Sequence, residues 1–355
     1  MLSCNCLLLP IINKILSYKI LGVHMNTMFT TKKIIWTILG ITLLLYIVGI
    51  YWSFEPDPID IHAEVTQAAK AENVAPVVGY TTTTTLIKVS EALLYKPGGY
   101  LSNDVMLPSL LLDNMPAWEF GALEMIRDMA LVMRKDFSRS QSQSSVNIHL
   151  QEAQPKFNID SKSFTLPSAE SEYADAINHL YAYRTALVSA NSGNKAQFYA
   201  RADNLRAYLE EVQKRLGSYS HRLSLSVGRE QVNTDLAGDS VAKQSSQGDP
   251  RLHLKTSWWK IDDVFYEARG ATWALLQLLR AIEIDFNSVL VNKNAKISLQ
   301  QIIRELEASQ ASLWSPMILN GSGFGMLANH SLVMANYISR ANAALIDLNE
   351  LLTKG

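Results

Sequence analysis

Two carboxylates beside aromatic side chains are the first residues that could do chemistry. The stretch KPGGYLSND ends in Asn103 and Asp104, and Glu119 follows Trp118 a short way along the chain. A carboxyl group in an apolar setting has a raised pKa and can act as a general acid. Asp104 and Glu119 are therefore catalytic candidates, and Tyr100, Asn103 and Trp118 are candidates for contacting a ligand.

A structural interpretation explains the same residues more simply, and we favour it. The proline and the two glycines of KPGGYLSND end one helix. Asn103 or Asp104 then caps a following helix by accepting a hydrogen bond from its free N–H groups. Glu119 complements the positive end of the next helix.

A second glycine-rich stretch, NGSGFGMLANHSL at 320–332, carries an amide and an imidazole. Its glycines could bring the backbone close to a ligand, with Asn329 and His330 following one turn into a helix. The glycine spacing fits no phosphate-binding pattern, so a tight turn between two helices is favoured. GGYLSND and GSGFGMLAN resemble each other, which raises the hypothesis of equivalent turns in two related halves.

Two opposite charges interrupt the most apolar helical pattern in the chain. Glu267 and Arg269 are two residues apart, so they point to different faces of a helix and cannot pair with each other. One of them is expected to reach Arg127, Asp128 or Arg134 on another helix. A structural ion pair is favoured over a ligand site, for which both residues remain candidates.

Arg139 lies in a polar connector, DFSRSQSQSS at 136–145. Its guanidinium group could hold an anion, although a solvated connector is the favoured interpretation. The seven histidines include no pair at i,i+4 spacing, and the chain has no HExxH, P-loop or GxSxG motif. No metal site and no cofactor are predicted.

A charge-free run of 21 residues at 34–54 matches the length that a helix needs to cross a bilayer. Lys32 and Lys33 precede the run and Glu55 follows it, so the positive-inside rule puts the N-terminus in the cytoplasm. The alternative is a cleaved signal peptide, whose apolar region is shorter and is followed by a small-x-small site that is missing here.

Composition limits the remaining possibilities. The first 54 positions hold four of the 32 basic residues and none of the 33 acidic ones, which leaves 28 basic and 33 acidic residues, a net charge of −5. Nucleic acid is therefore not an expected partner. The only cysteines are Cys4 and Cys6, so no disulfide framework is predicted beyond the apolar run.

The segments predicted along the chain share one theme, apolar residues at helical spacing. We predict an all-α fold, a single N-terminal transmembrane helix followed by an extracytoplasmic helical bundle with a long crossover. The five threonines at 81–85 are assigned to a helical turn. Further helices are predicted at 116–135, after Pro167 and Ser168, at 195–216 with Gly217 as its stop, and at 261–289, 298–313 and 325–352.

The predicted domain organisation has five parts. Residues 1–33 form a short cytoplasmic tail, in which 1–24 are expected to be an extension caused by a wrongly assigned start. The span at 34–54 comes next. The remaining parts are a helical region at 55–229, a flexible linker or loop at 230–250, and a helical region at 251–355 that packs with the first.

Five long motifs in the same order resemble the DUF2333 family of uncharacterised bacterial membrane-anchored proteins. They are KPGGYLSND, DNMPAWEFGAL, SRSQSQS, FYEARGATWALLQLLRA and SPMILNGSGFGMLANHSL. The resemblance covers nearly all of the chain from the apolar run onwards. It implies a protein of the bacterial inner membrane and supplies no activity and no catalytic residues.

We therefore expect an inner-membrane-anchored periplasmic protein with an interaction or scaffold role in the cell envelope. Its expected partners are the lipid bilayer, through 34–54, and an envelope protein. The alternative is a cell-wall-active hydrolase or lyase that uses Glu119 or Asp104, and of the two we favour the role without catalysis.

Overall fold

The computed structural model describes residues 9–139, 146–189, 195–232, 251–315, 317–322 and 325–354. The chain divides into two compact units. The first ends at Trp52 and the second begins at Ser53.

The first unit is one long helix, α1 (Leu9–Trp52). Its part Thr30–Trp52 is long and apolar enough to cross a membrane, with a mean hydropathy of 2.3. Helices of this kind near an N-terminus occur both as membrane anchors and as signal sequences. The helix begins well before the predicted residue 34, and Pro10 lies in its first turn, where proline is tolerated.

The second unit is mostly helical and has almost no strand in its described part, which confirms the predicted all-α class. Its first helices are α2 (Ile61–Glu72), α3 (Tyr80–Tyr95), α4 (Asn114–Val132), α5 (Ile148–Phe157), α6 (Ala169–Val188) and α7 (Ala202–Ser224). Its last helices are α8 (Ile261–Asp285), α9 (Asn287–Asn292), α10 (Lys296–Ser309) and α11 (His330–Lys354).

A short β-ladder, which the sequence analysis did not predict, interrupts the helices. Strand β1 (Arg229–Val232) pairs antiparallel with β2 (Arg251–Leu254). The two strands border most of the predicted linker at 230–250, of which 233–250 lie outside the described residues. Four residues in each strand carry too little alternation to be recognised as strands from sequence.

Helices α4 and α8 form the centre of the second unit and cross at very short range. A Cβ atom added to Gly121 would lie 1.9 Å from the Glu267 carbonyl oxygen, and one added to Gly270 would lie 1.9 Å from the Trp118 carbonyl oxygen. Both positions therefore require glycine. Next to this crossing, the rings of Trp118 and Trp273 pack with their centroids 5.0 Å apart.

The five threonines at 81–85 are buried inside α3, as the helical assignment predicted. The first turn of α3 has no side-chain cap of its own. Asp285, at the end of α8, supplies one: its Oδ2 accepts hydrogen bonds from Thr82 N and Thr82 Oγ1, each at 2.7 Å. A helix with free N–H groups at its start is stabilised by a carboxylate in this position.

Several helix boundaries differ from those predicted. Helix α7 begins at Ala202 instead of 195 and continues past Gly217 to Ser224. The extra turns are stable because Tyr219 and Leu223 are buried. Helix α11 begins at His330 rather than at 325.

The second unit has two ends that differ in composition, separated by α8, whose 25 residues span about 37 Å. At one end, which we call the Phe137 end, the turns 133–139, 195–201 and 286–295 meet. The rings of Phe137, Phe198 and Phe286 hold these turns together, with centroids 5.1–5.7 Å apart.

The opposite end, which we call the Glu55 end, contains the described residues of the loops 96–113, 158–168, 225–232 with 251–260, and 310–329. Loop 96–113 binds loop 158–168 through the Tyr100 hydroxyl, which donates to the Ser161 carbonyl oxygen, and contacts with α8 place the other loops nearby. Asp113 lies close enough to Asp263 to raise its pKa, in addition to the larger effect of burial. Arg269 binds the loop that begins at Gln310.

Candidate functional site

A buried ion pair occupies the position of the first catalytic candidate. The Glu119 side chain on α4 is 0 % exposed, and its Oε1 lies 2.6 Å from the Nζ of Lys96, which is equally buried. Glu119 also accepts hydrogen bonds from Leu101 N at 2.9 Å, Ser102 N at 2.8 Å and the Ser102 hydroxyl. The carboxylate therefore ties the loop 96–104 to α4.

Burial raises the pKa of Glu119, while Lys96 and the hydrogen bonds from the loop oppose that rise. Both carboxylate oxygens already have donors, and the group has no solvent-facing side. The predicted role at the positive end of a helix is wrong, because the carboxylate binds the loop instead. The arrangement stabilises the loop and leaves no open groove in which Glu119 could meet a substrate.

The neighbouring candidates belong to the same closed structure. Tyr100 is buried, and its hydroxyl donates to the Ser161 carbonyl oxygen at 3.1 Å. Asn103 Nδ2 donates to the Ser163 carbonyl oxygen at 2.9 Å and to Glu170 Oε2 at 2.8 Å. The side chains of these two residues join loop 96–113 to loop 158–168.

The predicted helix cap at Asn103 or Asp104 is wrong. The next α-helix begins at Asn114, ten residues later, and Asp113 accepts the hydrogen bond from its first N–H. Asp104 is half-buried, and burial raises its pKa, with a further contribution from Glu170. Trp118 is buried against Trp273 and therefore contacts the core rather than a ligand.

Arg269 and Glu267 each form a strong ion pair, but with partners other than those predicted. Arg269 Nε lies 2.7 Å from both carboxylate oxygens of Glu55. The two remaining nitrogens of Arg269 donate to the carbonyl oxygens of Ser309, Gln310 and Ala311. The guanidinium group thus ties the beginning of the second unit to the end of α10.

Glu267 pairs with Arg222 on α7, with Nη1 to Oε1 at 2.6 Å. Two of the three partners expected from sequence are engaged elsewhere, and the third, Arg134, lines a cavity at the Phe137 end. Asp128 binds Arg215, and Arg127 donates to backbone carbonyl oxygens and pairs with Glu124. The expectation of a structural role is consistent with these contacts, and only the choice of partner is wrong.

The candidates at the second glycine-rich turn stabilise the start of α11. Asn329 Oδ1 accepts from Leu332 N at 2.8 Å and its Nδ2 donates to the Gly321 carbonyl oxygen at 2.7 Å, so Asn329 caps the helix rather than lying one turn inside it. His330 Nδ1 accepts from Leu319 N at 3.2 Å. The close backbone approach of Gly321 is to Leu327 of the same turn, not to a ligand-sized space.

A small apolar cavity of about 240 Å³ does lie beside this turn. Its wall brings together two sequence candidates, Arg269 and His330. Trp314, which is 97 % exposed, stands at the cavity. Its further lining includes Phe265, Met334 and Tyr337.

Three positively charged side chains surround a second cavity, of about 260 Å³, at the Phe137 end. They are Arg134, Lys135 and Arg139, and Gln151 of α5 completes the polar wall. The end of α4 widens here into a π-helical turn, Met133–Phe137, a geometry that is frequent at functional sites. None of the three cations forms an ion pair with a described residue, and no acidic residue lines the cavity.

Asp136 follows Lys135 in the sequence but does not line the cavity. Burial raises the pKa of Asp136, and Lys135 and Arg139 oppose that rise. The cavity therefore keeps an excess of positive charge. Arg139 was a candidate from sequence; Arg134 and Lys135 were not recognised as members of the same site, although RKDFSR shows three cations within six residues.

In the part of the chain that the structure describes, no group of His, Cys, Asp or Glu is placed to hold a metal ion.

The two turns with similar sequences, GGYLSND and GSGFGMLAN, differ in structure. The first has positive φ angles at Gly98 and Gly99, and the second is closed by an antiparallel bridge between Asn320 and Asn329.

Comparison with known proteins identifies a family. Residues 24–355 match the model of DUF2333, described as an uncharacterised protein conserved in bacteria. No curated protein matches the chain, and no solved structure matches it. Because the match covers nearly the whole chain, the protein belongs to DUF2333, a family of bacterial proteins.

Proposed function

We propose that this is a single-pass protein of the bacterial inner membrane whose helical unit lies in the periplasm and binds an anionic group of another envelope protein. The cavity lined by Arg134, Lys135 and Arg139 is the observation that carries the binding role. Its function is a scaffold or interaction role rather than catalysis.

The membrane part of the proposal rests on the chain around α1. Thr30–Trp52 is long and apolar enough to span a bilayer. Lys32 and Lys33 precede the charge-free run, whereas Glu55, Asp57 and Asp60 follow it. This asymmetry favours a cytoplasmic N-terminus and a periplasmic second unit.

The binding part rests on electrostatics. Three like charges around one small cavity repel each other, and an anion between them converts that repulsion into attraction. Two of the three are arginines, whose planar guanidinium groups bind carboxylate or phosphate oxygens in pairs. The cavity is large enough for one such group and too small for an extended polymer.

The alternative, a cell-wall-active hydrolase or lyase using Glu119 or Asp104, stays a prediction that no contact in the structure favours. Glu119 is bonded on all sides and serves the loop 96–104. Replacing Glu119 by Gln, with the protein restored to its normal abundance, decides the matter. If Glu119 is catalytic, the variant loses the cellular function even at normal abundance. If Glu119 is structural, the cellular function returns when the abundance of the variant is restored.

Site-specific photocrosslinking in cells tests the binding role. A photoreactive residue replaces Gln151, which is exposed at the cavity. We expect a discrete adduct with one protein, which disappears in the double variant Arg134→Gln/Arg139→Gln. The matched control is Arg206→Gln, which removes an exposed arginine from α7 and should leave the adduct unchanged. An adduct that survives the double variant contradicts the proposal.

A reporter that is active only in the periplasm, fused to the C-terminus, tests the topology. We expect activity from this fusion and none from a reporter that is active only in the cytoplasm. The opposite pattern overturns the periplasmic location. Retention of the full-length chain in the membrane fraction after alkaline extraction separates an anchor from a cleaved signal sequence.

A further inference from the structure

Large apolar side chains are exposed on every loop of the Glu55 end. Loop 96–113 exposes Leu110 and Leu111, and loop 158–168 exposes Leu166. The loop before α8 exposes Trp259, and loop 310–329 exposes Trp314 and Met326. A soluble protein surface rarely carries so many exposed apolar side chains in neighbouring loops without a partner.

The tryptophans are distributed unevenly over the chain. Of the seven, Trp36 and Trp52 lie in α1, and Trp118 and Trp273 are buried in the core. The remaining three, at positions 258, 259 and 314, are exposed at the Glu55 end. Tryptophan is enriched where proteins meet the interface of a bilayer, because its ring is apolar and its N–H is polar.

Chain connectivity limits how far this end can be from the proposed span. Only Ser53 and Phe54 separate Trp52, the last residue of α1, from Glu55, so the two Cα atoms are at most about 11 Å apart. Glu55 is fixed by both its oxygens to Arg269. Arg269 in turn binds the carbonyl oxygen of Ala311, three residues before Trp314, and lines the same cavity as that ring.

The loop preceding α8 is near the same point. The charge of Glu55 raises the pKa of Tyr266, next in effect to burial. Tyr266 is the sixth residue of α8, and Trp259 lies two residues before that helix begins. Trp259 and Trp314 therefore both lie on loops whose neighbouring residues interact with Glu55.

We propose that the Glu55 end of the helical unit docks onto the lipid bilayer, with the exposed side chains of its loops inserted into the interfacial region. This inference rests on the proposed anchor and adds a second contact with the same membrane. The bilayer is favoured over a protein partner because a tether of two residues, Ser53 and Phe54, joins Glu55 to the proposed span.

The docking depends on apolar insertion more than on attraction to anionic lipid. Asp113, Asp262 and Asp263 lie at the same end as the exposed rings. An anionic headgroup does not attract carboxylates, so we expect docking on zwitterionic lipid as well. The orientation that results leaves the Phe137 end, with its basic cavity, pointing away from the membrane.

Quenching by lipid nitroxides tests this proposal on the full-length protein in phosphatidylcholine nanodiscs. Cys4 and Cys6 are first replaced by Ser, and one cysteine is introduced and labelled with a fluorophore in each of four variants. The first two, Leu110→Cys and Trp314→Cys, report on the Glu55 end. Ile297→Cys, at a site that is 77 % exposed on α10 near the Phe137 end, is the matched control. Ile47→Cys reports on α1 itself.

We expect strong loss of fluorescence at positions 47, 110 and 314 and little at 297. Quenching at 47 without quenching at 110 and 314 overturns the docking and leaves the anchor intact. Absence of quenching at position 47 overturns the membrane anchor. In that case the proposed function fails, and not only the docking. Equal quenching at 110, 314 and 297 also contradicts the proposal, because it shows no preferred face.

Discussion

The two ends of the helical unit differ in what they expose. The Glu55 end exposes leucine, methionine and tryptophan side chains on four loops, and the buried pair of Lys96 and Glu119 holds one of these loops in place. The Phe137 end buries its aromatic rings at the centre and places three cations, which form no ion pair with a described residue, around a cavity. The same bundle therefore offers exposed tryptophan rings at one end and a basic cavity at the other.

This difference shows that a loop with polar and glycine residues is not by itself an active site. The loop 96–104 has the composition of a catalytic loop, yet Lys96 and Glu119 use their charges to hold it in place. The connector after α4 looks like solvated sequence, yet Arg139 lines a cavity together with two further cations. What distinguishes them is whether each charge already has a partner.

The largest expected effect comes from breaking the buried pair at the Glu55 end. Glu119→Gln places an NH2 group where Leu101 and Ser102 donate hydrogen bonds and leaves Lys96 buried without a counter-charge. We expect a loss of about 3–5 kcal/mol in the free energy of unfolding, measured by denaturant titration. The control is Glu350→Gln in the exposed pair with Lys354, which should change nothing measurable.

A double variant that also replaces Lys96 tests whether the unpaired buried charge causes this loss of stability. The double variant Lys96→Met/Glu119→Leu removes both charges and should be more stable than Glu119→Gln, because no buried charge is left unpaired. A Glu119→Gln variant as stable as the parent protein would contradict the assignment of this pair as the contact that holds the loop.

A second effect, somewhat smaller, is expected for Arg269→Gln. The substitution removes the partner of Glu55 and of three backbone carbonyl oxygens. We expect a loss of about 2–4 kcal/mol, since several buried acceptors lose their donors. Hydrogen exchange should show the loop 310–315 opening first, and uniform exchange over the whole unit would contradict a local role.

At the Phe137 end, Asp285 allows a test by pH. Burial raises the pKa of Asp285 in the folded protein above its ordinary value of about 3.9. At a pH between these two pKa values, the native state binds more protons than the unfolded state. Stability should therefore fall as pH rises through that window. Asp285→Asn should remove this slope and cost about 1 kcal/mol through the weaker cap on α3, as urea unfolding at several pH values would show.

The smallest effect on stability is expected at the exposed ring of Trp314. Because this side chain is almost fully exposed, Trp314→Ser should leave the free energy of unfolding in detergent unchanged. It should instead reduce the protection of loop 310–315 from hydrogen exchange in nanodiscs. Equal protection of the parent protein and the variant in nanodiscs would contradict a bilayer contact at this ring.

The helical fold could be predicted from sequence because its signals are local. The apolar spacing along α8 and the charge-free run in α1 are visible within short windows. The ion pairs could not be predicted in the same way. Glu55 and Arg269 are 214 residues apart, and no spacing rule indicates which helices become neighbours.

The basic cavity was predictable only in part. The three cations of RKDFSR stand together in the sequence, and Arg139 was recognised as a possible anion ligand. Their convergence depends on the π-helical turn at Met133–Phe137 and on Gln151 of a separate helix. Neither feature leaves a periodic signal, so the cavity appears only in the folded chain.

One paired measurement tests the contrast between the two ends most directly. A photoreactive residue is placed in cells either at Leu110, which is 66 % exposed at the Glu55 end, or at Gln151 beside the basic cavity. We expect lipid adducts from position 110 and a discrete protein adduct from position 151. Protein adducts at 110 together with lipid adducts at 151 would contradict this expectation.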